Sequence, residues 1–369
     1  MSSFDFDAIV VGAGAVGLAC GQAFARRGLS VLVIEREDGV GEGVSSRSSE
    51  VIHAGLYYPT GSLKARLCVD GARRLYAFLE AHGVAHERCG KLVVATEPAE
   101  IPRLDAIERQ AAINGVASLR RLSGAEARAL EPELNAVEAL LSPDSGIFDS
   151  HGYMLALQGE IEAGGGTVVL ETPFDRAEPL PGGGVRLFTG GPDATAVTAA
   201  RLVIAAGLGA QAAAARVIGF PPEHIPELHY GKGSYFLLRG RPPFRRLVYP
   251  PPIPGALGVH YKRDLGGQAH FGPDLEYVER ETYDVSTERA QGFYAYVRRF
   301  WPGLPDGALT PDYAGIRPKL HGPGEPQPDF VLSGPETHGV AGVMALFGIE
   351  SPGLTASLAI GEEVAARLA

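Results

Sequence analysis

The chain has 369 residues, 45% of them apolar and 21% charged, with a formal net charge of −10. It is long enough for two cores and too apolar to be disordered. Its acidity excludes nucleic acid as the main partner, because neutralising phosphates needs clustered Lys and Arg, while a local basic pocket for a small anion stays compatible with it. Cys20, Cys68 and Cys89 are widely spaced with no C-x-x-C pair, so neither a disulfide framework nor a metal site is expected, and a reducing, cytoplasmic setting fits. The first apolar run leads straight into a glycine loop, without the basic start and cleavage site of a secretory signal. No window holds 18 apolar residues, so no transmembrane segment is expected; peripheral contact with the inner face of a membrane stays open.

Residues Asp7 to Val11 are a continuous apolar run, as in a buried parallel strand, and a helix from Ala15 to Arg27 follows, closed by Gly28. A second buried strand over Ser30 to Glu35 completes a β-α-β unit. A serine-rich loop leads to a helix over 62–83, a strand from Lys91 to Thr96, and charged helices around 98–114 and 123–130. Gly152 to Ala163 reads as helix, Thr167 to Glu171 as strand, 173–200 as a short meander, and Arg201 to Ala206 as another buried strand. From 221 to 314, proline, aromatics and alternation (Gly233 to Leu238, Gly255 to Phe271) predict an antiparallel sheet. The end gives a strand from Asp329 to Ser333, a glycine-broken segment and a last helix from Ser351.

Gly12-Ala13-Gly14-Ala15-Val16-Gly17 is G-x-G-x-x-G between the first strand and helix. The glycines permit a tight turn, close approach of a pyrophosphate and close helix–strand contact, and the helix N-terminus favours the phosphate charge. Glu35 ends the second strand, 18 residues beyond Gly17, where a carboxylate can accept both ribose hydroxyls and repel a 2′-phosphate. Arg36 follows it. The loop alone does not separate NAD from FAD; two further segments point to FAD. Ser45, Ser46, Arg47 and Ser48 offer hydroxyls, N–H groups and a guanidinium to a diphosphate, the plain alternative being a solvated loop. Gly348-Ile349-Glu350-Ser351-Pro352-Gly353-Leu354-Thr355 opens the last helix, with Ser351 as cap and Pro352 in the first turn, so that free N–H groups can face a flavin N1–C2=O edge. Gly207-Leu208-Gly209 also follows a strand, but no acid stands at the right distance on a second one, so one dinucleotide is expected.

The strings V-V-G-A-G-A-V-G, S-S-R-S-S-E-V-I-H-A-G-L-Y-Y (45–58), A-A-G-L-G (205–209), Y-A-G-I-R-P-K (313–319) and F-G-I-E-S-P-G-L-T-A-S (347–357) occur in one order. Together they resemble the D-amino-acid-oxidase-like flavoproteins, and among them the L-2-hydroxyglutarate dehydrogenase/oxidase group. The resemblance implies an α/β fold: a Rossmann-like FAD-binding domain of glutathione-reductase type with an inserted α+β substrate domain on a mixed or antiparallel sheet. Residues 1–85, 147–217 and 315–369 would form the first, and 86–146 and 218–314 the second. It also implies non-covalent FAD, contacted further by Ala54, Gly55, Pro173, Phe174, Ala206 and Gly315. The implied reaction is oxidation of a 2-hydroxy acid, L-2-hydroxyglutarate above all, with electrons passed to a quinone-linked acceptor or O2. Alternatives on the same scaffold are an amino-acid or N-methyl-amino-acid oxidase and a non-catalytic flavin-binding protein; a flavin monooxygenase would need NAD(P)H.

Hydride transfer needs a carboxylate clamp, an acceptor for the hydroxyl proton and a C–H facing the flavin. Arg317 suits the clamp because a guanidinium grips a carboxylate with two hydrogen bonds. Lys319 lies two residues on, on the same side of a strand. A free histidine side chain titrates near neutral pH, so His53 or His260 could be the base; some related flavoproteins attach FAD covalently to a histidine resembling His53. Tyr58, Lys232, Tyr235 and Tyr249 are candidate pocket residues. Lys262 stands where the resembling sequences usually carry threonine; it could hold a distal carboxylate or signal another substrate.

Overall fold

The structure, a computed structural model, describes residues 4–252 and 258–369. Residues 255–257 of the expected sheet segment therefore lie outside the described residues. The N-terminal β-α-β unit is β1 (Phe6–Val11), α1 (Ala15–Ala25) and β2 (Val31–Ile34). Then follow β3 (Val51–Ile52), α2 (Leu63–Ala81), β4 (His86–Glu87), β5 (Lys91–Ala95), α3 (Ile101–Ile113), β6 (Arg120–Ser123), α4 (Gly124–Leu130), β7 (Glu138–Ser142) and β8 (Gly146–Phe148). The middle of the chain holds α5 (Ser150–Ala163), β9 (Thr167–Val169), β10 (Phe174–Pro179), β11 (Val185–Thr189), β12 (Ala196–Ile204) and α6 (Ala210–Ala214). The last third holds β13 (His229–Leu238), β14 (Leu247–Tyr249), β15 (His260–Arg263), β16 (Ala269–Gly272), β17 (Glu276–Val278) and α7 (Ala290–Phe300). It ends with β18 (Leu309–Lys319), β19 (Val331–Ser333), α8 (Pro335–His338), β20 (Val343–Phe347) and α9 (Gly353–Arg367).

Three sheets result. In the first, β9, β2, β1, β12 and β20 lie side by side in parallel, and the antiparallel meander β10–β11 attaches to the first half of β12. The inner strands β2 and β20, with the later residues of β1 and β12, are buried on both faces, as their unbroken apolar runs require, while β9 is an exposed edge. One face is covered by α1, α2, α5 and α9, the other by α6 and the meander. The second sheet runs β17-β13-β16-β15-β14-β5-β7-β6, with β18 on β13, and is backed by α4 and α7. A small sheet, β3-β8-β4, joins segments of the two large ones.

Four local expectations change. The segment Arg201 to Ala206 is the end of the longer β12, because its first half completes the meander. The glycine-broken segment contains β20, a fully buried strand between β12 and β19. The region expected to be only sheet contains α7, whose Phe293, Val297 and Phe300 recur at helical spacing and enter the core. The division at 314/315 falls inside β18, which pairs with β13 on both sides of it.

Close packing of helices on the parallel sheet relies on small residues. A Cβ on Gly361 of α9 would overlap the carbonyl oxygen of Ala19 in α1. Gly361→Ala is therefore expected to destabilise the protein by about 1–3 kcal/mol through overpacking, outweighing the roughly 1 kcal/mol gain in helix propensity. Urea denaturation of the flavin-loaded protein measures this, and an unchanged midpoint would mean the helices separate freely.

Candidate active site

The loop from β1 into α1 closes against the end of β12. Gly12 has φ +104°, and a Cβ there would stand 2.7 Å from the Ala205 carbonyl oxygen. A Cβ on Gly17 would overlap the Gly12 carbonyl, so α1 starts as close to the strand as a helix can. Gly14 caps α1 without any side-chain cap bond, and Ser45 Oγ accepts from the Ala15 N–H at 3.1 Å. Glu35 Oε2 accepts from the Ala13 N–H at 2.7 Å and Oε1 from the Arg36 N–H at 2.9 Å, which fixes the acid at the end of β2.

These elements form one end of a cavity of about 1050 Å³, at the upper end of ordinary ligand sites. Its wall takes in Gly12, Gly14, Ala15, Val16, Glu35, Arg36, Ser45, Arg47 and Ser48, then Pro173, Phe174, Ala206, Gly207 and Leu208. It continues along Ile349, Glu350, Ser351, Pro352, Gly353, Leu354 and Thr355. The far end is lined by His53, Tyr58, Tyr235, Tyr249, His260, Gly315 and Arg317. Two uncapped helix ends, the glycine cradle and the acid at β2 suit a dinucleotide lying along the cavity. The serine-arginine segment and α9 reach the same cavity from opposite ends of the chain, as a flavin dinucleotide would require. Thus the residues fit FAD.

Some expected residues stand back from the wall. Ala13 and Gly17 shape the turn behind it, and Ser46 donates to the Gly43 carbonyl. Ala54 belongs to a small core cluster, and Gly55 (φ +87°) packs on Val69. Gly348 packs on Leu320. Ser351 does not cap α9: Pro352 occupies the N-cap position. Its hydroxyl instead lies 3.4 Å from His53 Nε2 and is hydrogen-bonded to Tyr58. Gly315 makes room for the Arg47 carbonyl, which a Cβ would overlap.

The lysines expected in the pocket are engaged elsewhere. Lys232 Nζ donates to the Asp284 carbonyl and lines a separate depression with Glu276 and Arg289. Lys262 lies behind the wall, its Nζ 5.6 Å and 5.3 Å from the ring centroids of Tyr235 and Tyr313. Lys319 does share a face with Arg317, and the cross-strand glycines Gly231 and Gly233 leave space for both side chains. Its Nζ, however, pairs with Glu350 Oε2 at 3.0 Å.

Glu350 is thereby the centre of a buried network that the sequence did not reveal. It also pairs with Lys64 Nζ at 3.3 Å and accepts from Gln327 at 2.6 Å. Burial pushes its carboxyl up, but Lys64 and Lys319 hold it below the usual carboxylate range. Tyr57, also unexpected, lines the far end with a buried hydroxyl that has no partner.

The far end holds the groups able to do chemistry. Arg317 reaches it through the gap left by Gly233, with Nη1 3.4 Å from the Asp274 carbonyl. His53 is pinned by its backbone N–H, which donates to Thr355 Oγ1 at 3.1 Å, and its buried Nδ1 has no partner among the described residues. Burial, then the charges of Lys91 and His260, hold its pKa well below the usual 6.5. His260 stacks on Tyr249, ring centroids 3.7 Å apart and planes at 11°. Burial pushes the Tyr235 phenol up to about 12, so it stays a hydrogen-bond donor at neutral pH.

Known proteins share this fold. The profile of FAD dependent oxidoreductases matches residues 7–367. A mitochondrial L-2-hydroxyglutarate dehydrogenase of Arabidopsis thaliana is 42% identical, over 97% of this chain and 82% of that protein. The like-named proteins of Caenorhabditis elegans and Homo sapiens are 36% and 31% identical, over 75% and 76% of this chain but only 65% and 64% of theirs. Among solved structures, an L-alpha-glycerophosphate oxidase from Mycoplasma pneumoniae with FAD bound matches with TM-score 0.87 at 21% identity, over 98% of this chain and 94% of that one. Glycine oxidase from Geobacillus kaustophilus matches with TM-score 0.79 at 21% identity, over 99% and 95%. The fold is thus that of FAD-binding enzymes, and the chain belongs to the FAD dependent oxidoreductase family.

Proposed function

We propose that this chain oxidises L-2-hydroxyglutarate to 2-oxoglutarate. The carrying observation is the far end of the cavity, where Arg317 and two histidines converge. The like-named relatives support the choice of substrate. When bound, FAD supplies the two-electron acceptor for the hydrogen leaving C2. Arg317 binds the C1 carboxylate and so fixes which C–H faces inward. His53, which lines the cavity and is held neutral, accepts the hydroxyl proton on an imidazole nitrogen, with Ser351 Oγ 3.4 Å from Nε2 orienting the ring. A base already neutral at working pH needs no prior deprotonation. His260, stacked on Tyr249, lines the same end of the cavity as His53. The N-terminal end of α9 and its loop face the cavity where negative charge would gather on the cofactor.

Among the described residues no helix is long and apolar enough to cross a membrane. The final electron acceptor in this reading is a quinone-linked carrier or O2, reached from a cytoplasmic site that allows peripheral membrane contact.

Anaerobic mixing with L-2-hydroxyglutarate, short 2-hydroxy acids, glycine, sarcosine and D-amino acids tests the reaction: the flavin should bleach with the first. Bleaching by an amine alone would overturn it in favour of an amino-acid oxidase. Arg317→Met should raise KM about 30-fold or more, since a charged hydrogen-bond partner is lost; unchanged kinetics would remove Arg317 from the site. His53→Asn should lower kcat about 10²- to 10⁴-fold with flavin retained, whereas a loss confined to His260→Asn would reverse the roles. Because the base must be neutral and its pKa is depressed, kcat/KM should fall only as pH drops through a value below 6.5. An acid limb centred above that value would count against His53. Gly12→Ala, strained at φ +104°, should yield protein with little flavin per chain.

A further inference from the structure

Lys91 opens β5 beside β7 and β14, opposite Ser142 and Leu247, and is 0% exposed. Its Nζ has no hydrogen-bond partner and no counter-ion among the described residues. It lies 4.9 Å from the Tyr57 ring centroid and 4.8 Å from that of Tyr249. Both rings line the active-site cavity, whereas Lys91 itself stands one layer behind. The other titratable groups around it are His53, His260, Cys68 of α2 and Cys89 just before β5. Burial pushes the two thiols up to about 12 and about 11, so neither is an anion at neutral pH. An ammonium is thus buried with only two aromatic faces to hold it, a costly arrangement unless an anion arrives nearby.

We propose that Lys91 is the positioning residue for the second carboxylate of the substrate, acting through Tyr57 and Tyr249, and that it sets the preference for a 2-hydroxy diacid over a monoacid. A cation behind a phenol ring draws electron density from it and makes its O–H a stronger donor. The Tyr57 hydroxyl, buried beneath the cavity surface, has no partner among the described residues, so the protein itself does not use that donor. The field of a buried charge also reaches further than that of an exposed one, such as Arg103 at the cavity mouth. The other lysines are already compensated: Lys64, which reaches the wall, and Lys319 both pair with Glu350, Lys232 donates to the Asp284 carbonyl, and Lys262 has Glu50, Asp264 and Asp312 around it. The inference rests on the oxidation of a 2-hydroxy diacid proposed above.

Burial lowers the Lys91 pKa to about 8. The ammonium is therefore present below that pH and lost above it, and diacid binding should weaken as pH rises through it.

The test compares wild type with Lys91→Met, which removes the charge and keeps most of the stem. Binding of glutarate and of valerate to the flavin-loaded, non-reacting enzyme is measured by calorimetry. Turnover is measured with L-2-hydroxyglutarate and with L-2-hydroxyvalerate, the monoacid of equal length. The variant should bind glutarate at least tenfold more weakly and valerate within threefold of wild type, with the loss of turnover in KM and not in kcat. In wild type, glutarate affinity should fall above about pH 8, and valerate affinity should not. Equal losses for diacid and monoacid, no loss, or a fall in kcat alone would overturn the proposal. Should the variant not fold, a wild-type glutarate affinity without the pH break overturns it, and Tyr57→Phe provides the second arm. Failure of every 2-hydroxy acid to bleach the flavin would sink the reaction itself, whereas the glutarate and valerate affinities need no turnover and judge Lys91 alone.

Discussion

The close approach of the β1–α1 loop to the end of β12 is the constraint on which the rest depends. Gly12 and Gly17 let α1 begin against the backbone of the sheet, so that its N-terminus, where only the Ala15 N–H is met by a side chain (Ser45 Oγ), opens into the cavity. α9 can reach the same place only because Gly361 lets it lie on α1 and Gly71 lets it lie on α2. Two helix N-termini thus point into one cavity from opposite ends of the chain. A side chain at any of these glycines would push a helix away and widen the site that the helices define.

Charge is arranged as strictly as backbone. The cavity's neighbourhood holds several buried lysines, and most are neutralised by the protein itself. Lys64 and Lys319 share Glu350, and Lys262 has Glu50, Asp264 and Asp312 around it. Arg317 and Lys91 are treated differently: the first has only a carbonyl contact, the second only ring faces. A buried ion pair contributes little net stability, but a buried cation without a partner costs a great deal. The protein therefore compensates the cations that hold its frame and leaves Arg317 and Lys91 without a carboxylate partner among the described residues.

How much of this was legible in the sequence depends on the range of the signal. The glycine loop, the β-α-β unit and the apolar C-terminal helix are local patterns, and each lies where its pattern placed it. So do His53, Arg317 and the serine-arginine segment, which sit within or beside distinctive strings. Contacts between distant residues were not legible. Lys64 and Glu350 are 286 positions apart, and nothing near either one announces the pair. Lys91 begins an ordinary apolar strand, where a lysine reads as a solvated edge residue. Only the packing of α2, β14 and the 53–58 segment around it makes it a buried cation. α7 was hidden by its aromatics, which suit a strand in composition, although Phe293, Val297 and Phe300 carry the helical period.

The same division explains why glycines and not side chains dominate the cofactor end, while side chains dominate the far end. A diphosphate is recognised by N–H groups and helix dipoles, which any sequence provides once the backbone can approach closely enough. A small acid offers less to grip, so its site must concentrate charge and shape in a few residues. That requires burial, and burial of uncompensated cations destabilises the empty protein. The cost is recovered when an anion binds the folded state, which couples substrate affinity to stability.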